Sequence, residues 1–220
     1  MSLHDVIFDL DGTLVDSVPG IAWSVEAALS ECGLNRTCAS LRALIGPPIR
    51  EILATLAATS DARLLDWLEA AFRASYDSEG WRRTACFAGI VALLDELQAS
   101  GLFLWVVTNK PTLATGRILE SLRIRHYFNG VFCRDLRTPP YMSKCEVLHH
   151  LIKSNSLVPA RCLMIGDTLE DARAAKPVGI PAAIVSYGYG RELDALPVGC
   201  LRVENLDELA GLCYLDVSRR

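Results

Sequence analysis

The sequence contains no hydrophobic run of membrane-spanning length. Apolar stretches such as Leu102–Val107 fall far short of the ~20 residues that a spanning helix needs. It also has no excess of basic residues. Twenty-six Asp and Glu outnumber 22 Lys and Arg, for a formal net charge of −4, which argues against nucleic acid and anionic membranes as partners. The eight cysteines (Cys32, Cys38, Cys86, Cys133, Cys145, Cys162, Cys200 and Cys213) include no C-x-x-C pair. That spacing offers neither a zinc knuckle nor a disulfide framework, so reduced thiols in a cytoplasmic protein are expected. The opening Met1-Ser-Leu-His-Asp lacks the basic and apolar regions of a signal peptide, and the chain is expected to be mature and non-secreted. Internal repeats and low-complexity segments are likewise absent.

What is present is a chain of 220 residues, 51% hydrophobic and 22% charged. These proportions belong to a globular protein of one large domain, or of a core with a smaller insert. Val6-Ile-Phe, Leu102–Val107, Cys162-Leu-Met-Ile and Ala182-Ala-Ile-Val are short, continuously apolar runs, with Gly130-Val-Phe-Cys as a fifth candidate. Continuous apolarity is the mark of parallel strands covered on both faces. Helical patterns lie between them, from Ile90 to a stop at Gly101, over Thr112–Leu122, Lys144–Ser154 and Glu170–Lys176. The alternation predicts a Rossmann-like, doubly wound α/β sheet. Between Asp16 and about Ala85 only helical periodicity appears, which predicts an α-helical insert (16–85) in a core made of 1–15 and 86–220.

The first strand stops at Phe8-Asp9-Leu10-Asp11-Gly12-Thr13. Ligands of parallel α/β sheets bind beyond the carboxyl ends of the strands. Two like charges two residues apart on a strand repel, and a cation between them removes that cost. Hard oxygen ligands point to Mg²⁺. By itself Asp-Gly makes only a turn. Other strand ends carry matching polar groups, however: Thr108-Asn109-Lys110, and Gly166-Asp167 running on to Asp171, while Lys144 begins a helix after a proline-rich loop.

Taken together, Asp9-x-Asp11-Gly12-Thr13, Thr108-Asn109, Lys144 and Gly166-Asp167-x-x-x-Asp171 resemble, in order, the four motifs of the haloacid dehalogenase superfamily. The resemblance covers roughly residues 4–15 and 86–210, and is strongest to its phosphoglycolate phosphatase-like branch, which carries a helical cap after the first motif. The segment Val185-Ser-Tyr-Gly-Tyr-Gly-Arg-Glu resembles a loop of that branch. It implies a phosphatase with Asp9 as nucleophile, Asp11 as general acid and base, and Lys144 neutralising the phosphoryl charge. Thr108, Asn109, Gly12 and Thr13 would contact the phosphate. Asp9, Asp167, Asp171 and the backbone carbonyl of Asp11 would serve Mg²⁺. Two positions depart from the family pattern: Cys145 follows Lys144 where many relatives have proline, and Lys176-Pro177-Val178-Gly179 replaces Ala-Gly.

The expected substrate is a small phosphate ester, 2-phosphoglycolate first among candidates, handled by a monomer or homodimer. The alternative is a phosphosugar mutase of the β-phosphoglucomutase type. Substrate choice is assigned to the insert, where Arg50, after Gly46-Pro47-Pro48, is the candidate anion-binding side chain or else a solvated helix-start residue. Trp23 is expected to pack the insert rather than line the entrance. Lys110 is read as a loop or helix-start residue.

Overall fold

The computed structural model describes residues 3–34, 41–45, 47–191 and 195–217, without the side chains of 43 and 214–217. Cys38, Gly46 and Glu192 lie outside the described residues. In chain order the elements are β1 (Asp5–Phe8), β2 (Val15–Asp16), α1 (Val18–Glu31), α2 (Ile49–Ala57), α3 (Ala62–Ser78), β3 (Ala85–Cys86), α4 (Ile90–Ala99) and β4 (Phe103–Thr108). They continue with α5 (Thr112–Ser121), β5 (Gly130–Cys133), α6 (Lys144–Ser154), β6 (Cys162–Gly166), α7 (Leu169–Ala175), β7 (Ala182–Val185), β8 (Leu201–Val203) and α8 (Leu206–Val217).

Six strands form one parallel sheet in the order β5-β4-β1-β6-β7-β8. Alternation along β1 sends Val6 and Phe8 to one face and Ile7 to the other. The first face packs on α4, α5 and α8, through residues such as Leu94, Ile118 and Leu209. The second packs on α6 and α7, through Val147, Leu151 and Ala175. Burial on both faces explains why these strands read as unbroken apolar runs, and it is the doubly wound arrangement expected from the sequence.

Strands β2, β3 and β8 and the last helix, α8, were not anticipated. The edge strand β8 is short, and its Leu201 and Arg202 are exposed, so no apolar run marks it. β2 and β3 pair antiparallel, Val15 with Cys86 and Asp16 with Ala85. This ribbon sets the chain's exit to α1–α3 beside its return. Helices α1–α3 enclose their own apolar cluster, with Val25, Leu29, Leu53, Leu68 and Phe72 among its members, and among the described residues only Ala114 of α5 joins its buried set from the sheet side.

Pro177 ends α7 at Ala175, the chain continuing as a 3₁₀ turn to Gly179 in the left-handed region. The described cysteines are free thiols, and burial pushes Cys162 and Cys213 up to about 12. Among the described residues no helix is long and apolar enough to cross a membrane.

One buried acid stands at the opposite end of β1. Asp5 is 2% exposed and accepts a 2.8 Å hydrogen bond from Trp105 Nε1, with His4 Nδ1 at 2.9 Å from its other oxygen. Removing it orphans a buried indole N–H. Asp5→Ala is expected to cost about 1–3 kcal/mol in denaturant unfolding. An unchanged midpoint would show that the bond contributes nothing.

Candidate active site

The carboxyl ends of β1, β4 and β6 lie side by side, and each delivers its polar residues to one place. Asp9 leaves β1 with its N–H bonded to Ile165 O at 2.8 Å, so the backbone holds it in line with β6. The chain then turns: Leu14 and Val15 N–H both donate to Leu10 O at 3.0 Å, and Gly12 sits at φ +87°. That conformation suits glycine. A Cβ at Gly12 would also overlap the Asp167 carboxylate, so the glycine is what lets the two strand ends close on each other.

Asp9, Asp167 and Asp171 each bring a carboxylate oxygen within 4.8 Å of the others, and all three are buried. Helix capping positions two of the site's charged groups. Ser143 caps α6, its hydroxyl accepting from Glu146 N, which makes Lys144 the first helical residue. Thr168 caps α7, and Asp171 reaches back to Thr168 N at 3.0 Å and Oγ1 at 2.8 Å. Lys144 Nζ then lies 2.8 Å from Asp9 and 2.6 Å from Asp171. Asp167 accepts from Tyr189 N at 2.7 Å, and from Thr13 Oγ1 at 3.4 Å.

One lysine does not balance three carboxylates. Burial, offset in part by Lys144 and reinforced by Asp171, pushes Asp9 up to about 7. Burial, then Asp171 and Asp9, drives Asp167 well above the ordinary carboxylate range. Burial alone would pull Lys144 down, but Asp171 and Asp9 outweigh it and hold the ammonium above its usual value. A cluster of hard oxygen donors with surplus negative charge fits a divalent cation such as Mg²⁺. The residues that could hold it are Asp9, Asp167 and Asp171.

Asp11 corrects the expectation of two acids sharing one site. Its carboxylate is not part of that cluster. Both of its oxygens bond Lys110 Nζ, at 3.0 and 2.9 Å, so of Asp11 only the backbone carbonyl remains a candidate ligand. Strand β1 ends at Phe8 and the chain bends at Leu10, so Asp11 lies off the line of the strand, where Lys110 neutralises it. Lys110 lies in the loop before α5, as expected, but its side chain is buried. It is 8% exposed, and its ammonium lies 4.9 Å from the Tyr76 ring centroid of α3. Burial pulls it down, while Asp11 raises it further, leaving it firmly charged.

Thr108 is buried, its Oγ1 accepting from Lys110 N at 3.1 Å, and Asn109 Nδ2 donates to Glu170 at 2.9 Å. Arg50 lines the cavity above the site, yet its guanidinium is engaged: 2.7 Å to Asp66, 3.4 Å to Glu69 and 3.3 Å to Ala62 O. Trp23 is 37% exposed beneath Arg83, at 4.7 Å, and is not part of the cavity lining.

Tyr76, Glu170 and Tyr189 also line the cavity, and no role was expected for them from the sequence. Tyr189 ties the loop after β7 to the end of β2 and the start of α1, its hydroxyl accepting from Ser17 N at 2.8 Å and lying 3.0 Å from Asp16 Oδ1. The resemblance of Val185–Glu192 to a family loop was the available signal for it. For Lys110 the signal was its place directly after Thr108-Asn109.

Comparison with known proteins agrees with this geometry. The family described as haloacid dehalogenase-like hydrolase matches residues 6–185. Tyrosine-protein kinase PtkA of Mycobacterium tuberculosis is 35% identical over 84% of this chain, which spans only 63% of PtkA's length. The 5'-nucleotidase of Pseudomonas aeruginosa is 32% identical over 86% of this chain and 85% of its own, and the phosphoglycolate phosphatase of Salmonella typhimurium is 33% identical over 86% and 83%. A crystal structure titled a predicted phosphatase, from Clostridium acetobutylicum, superposes with a TM-score of 0.87 at 29% identity, covering 97% of this chain and 100% of that one.

The raised Asp9 carboxyl has a consequence for stability. Between about pH 4 and pH 7 the folded chain retains a proton that the unfolded chain has lost, so stability falls as pH rises through that window. A divalent ion competes with that proton. Mg²⁺ is therefore expected to raise Tm more at pH 8 than at pH 5, measured against chelated protein. Equal shifts at both pH values would contradict an ion held by Asp9.

Proposed function

The chain belongs to the haloacid dehalogenase-like hydrolase family, and we propose that it is a Mg²⁺-dependent phosphatase acting on phosphate monoesters of small molecules through an aspartyl-phosphate on Asp9. The observation that carries the reading is the convergence of Asp9, Asp167, Asp171 and Lys144 at the strand ends. The names of the 5'-nucleotidase and phosphoglycolate phosphatase relatives agree on the reaction and differ on the alcohol.

In this reading an Asp9 oxygen attacks phosphorus, and the P–O bond to the alcohol breaks. Asp11 delivers the proton that the leaving oxygen needs, then takes one from the water that attacks the acyl phosphate. Lys110 is the resting partner of Asp11 and holds its carboxylate aimed toward the leaving oxygen. Lys144 neutralises charge on Asp9 and on the transferring group. The hydroxyl of Thr108 and the side chain of Asn109 are placed at the strand end for phosphoryl oxygens, beside the Gly12–Thr13 turn. Mg²⁺ at the three carboxylates would lower the repulsion between nucleophile and phosphate. Helices α1–α3 act as a cap over the site, joined to the core through the β2–β3 ribbon.

The purified chain with Mg²⁺ is expected to release phosphate from a panel of monoesters, and Asp9→Asn to abolish release. Retained turnover in Asp9→Asn would remove Asp9 as nucleophile. Conversion of hexose phosphates to isomers without net phosphate would favour the mutase reading instead. Lys110→Met is expected to slow alkyl phosphate esters roughly 10²-fold, the lower range for a lost acid–base group. It should slow nitrophenyl phosphate far less, because that leaving group needs no proton, and Lys110→Arg should recover part of the loss. Equal slowing of both substrates would mean that Lys110 does not act through Asp11.

A further inference from the structure

The catalytic residues open into a cavity of about 380 Å³, whose other wall belongs to the insert. That volume lies within the roughly 300–1,000 Å³ of sites that enclose small organic ligands. Its lining includes an apolar group made of Ile21, Ile49, Ile52, Phe72 and the Tyr76 ring of the insert, with Ala114 of α5. Five of these six are 3–7% exposed, and all but the half-buried Ile49 sit in the buried cluster of α1–α3, so the wall is part of a packed core.

The cavity's arginines are already engaged. Arg50 pairs with Asp66 and Glu69, and Arg73 Nη2 lies 3.0 Å from Glu69. Arg134 donates to the Tyr141 and Met142 carbonyls at 2.8 and 3.3 Å. Asp77, Asp135 and Glu170 add negative charge to the same lining.

Resting on the phosphatase reading above, we propose that this site selects monoesters whose alcohol carries an apolar, ring-sized group, over short esters carrying a carboxylate. The phosphate end is met by Lys144 and the carboxylate cluster, and the alcohol end by hydrocarbon. A ring placed against that wall leaves water at no polar cost. A carboxylate in the same position gives up its hydration and meets acidic neighbours, with the nearby guanidinium groups committed elsewhere. Arg50 therefore belongs to the insert's own structure in this reading, and Ile49, the half-buried member of the wall, is the residue that sets the preference.

The test compares kcat/KM of the full chain with Mg²⁺ for benzyl phosphate, ethyl phosphate and 2-phosphoglycolate. All three leave as alkoxides and make the same demand on Asp11. Benzyl phosphate is expected to exceed ethyl phosphate by roughly tenfold or more, the gain of burying a phenyl group, and to exceed 2-phosphoglycolate as well. Ile49→Lys, which sets an ammonium in the wall, should lower the benzyl value and raise the 2-phosphoglycolate value. A wild-type preference for 2-phosphoglycolate overturns the specificity proposal and leaves the phosphatase reading standing. No phosphate release from any of the three, nor from the wider monoester panel, overturns both. The wild-type comparison decides the matter even if the variant fails to fold.

Discussion

Everything at the strand ends follows from an electrostatic debt: three buried carboxylates gathered around a single ammonium. Isolated buried charges are costly, and a fold tolerates them only when they are paired, hydrogen-bonded or bound to a cation. Here the hydrogen bonds are laid down by the backbone itself. Asp171 is fixed by its capping box, Asp167 by Tyr189 N–H, and Lys144 by its place at the start of α6. The remaining imbalance shows in the raised carboxyl groups of Asp9 and Asp167. A site built to hold surplus negative charge is also one that a phosphate dianion would avoid, so a cation serves both the fold and the chemistry.

A second, separate charge pair stands beside the first. Asp11 and Lys110 neutralise each other, and the pair is roofed by Tyr76 from α3. The acid assigned to proton transfer is thus kept apart from the acids assigned to the metal, although only one residue separates Asp9 from Asp11. The separation begins where β1 stops: the strand ends at Phe8 and the chain bends at Leu10, before Asp11. Tyr76 couples the pair to the insert, so the helices that shape the cavity also touch the lysine that holds Asp11.

The sheet was legible in the sequence because strands buried on both faces must be apolar throughout, as in Val6-Ile-Phe and Cys162-Leu-Met-Ile. The edge strand β8 escaped for the converse reason: Leu201 and Arg202 face outward and leave no run to detect. The carboxylates at 9, 167 and 171 were legible because each follows a strand end at a short, fixed offset. Lys110 was not, since a lysine after Thr-Asn is equally at home in solvent, and only the fold reveals the carboxylate that receives it. The ion pairs of Arg50 were hidden for a related reason. Its partners Asp66 and Glu69 lie on the following helix, and sequence alone does not show that α2 and α3 pack so as to bring them within reach.

The most direct measurement is an anomalous diffraction map from crystals of the full chain soaked with Mn²⁺ in place of Mg²⁺. The account predicts one strong peak among the carboxylates of Asp9, Asp167 and Asp171, lost when Asp167 is replaced by Asn. A map with no peak there, or with the ion bound elsewhere on the molecule, would contradict it.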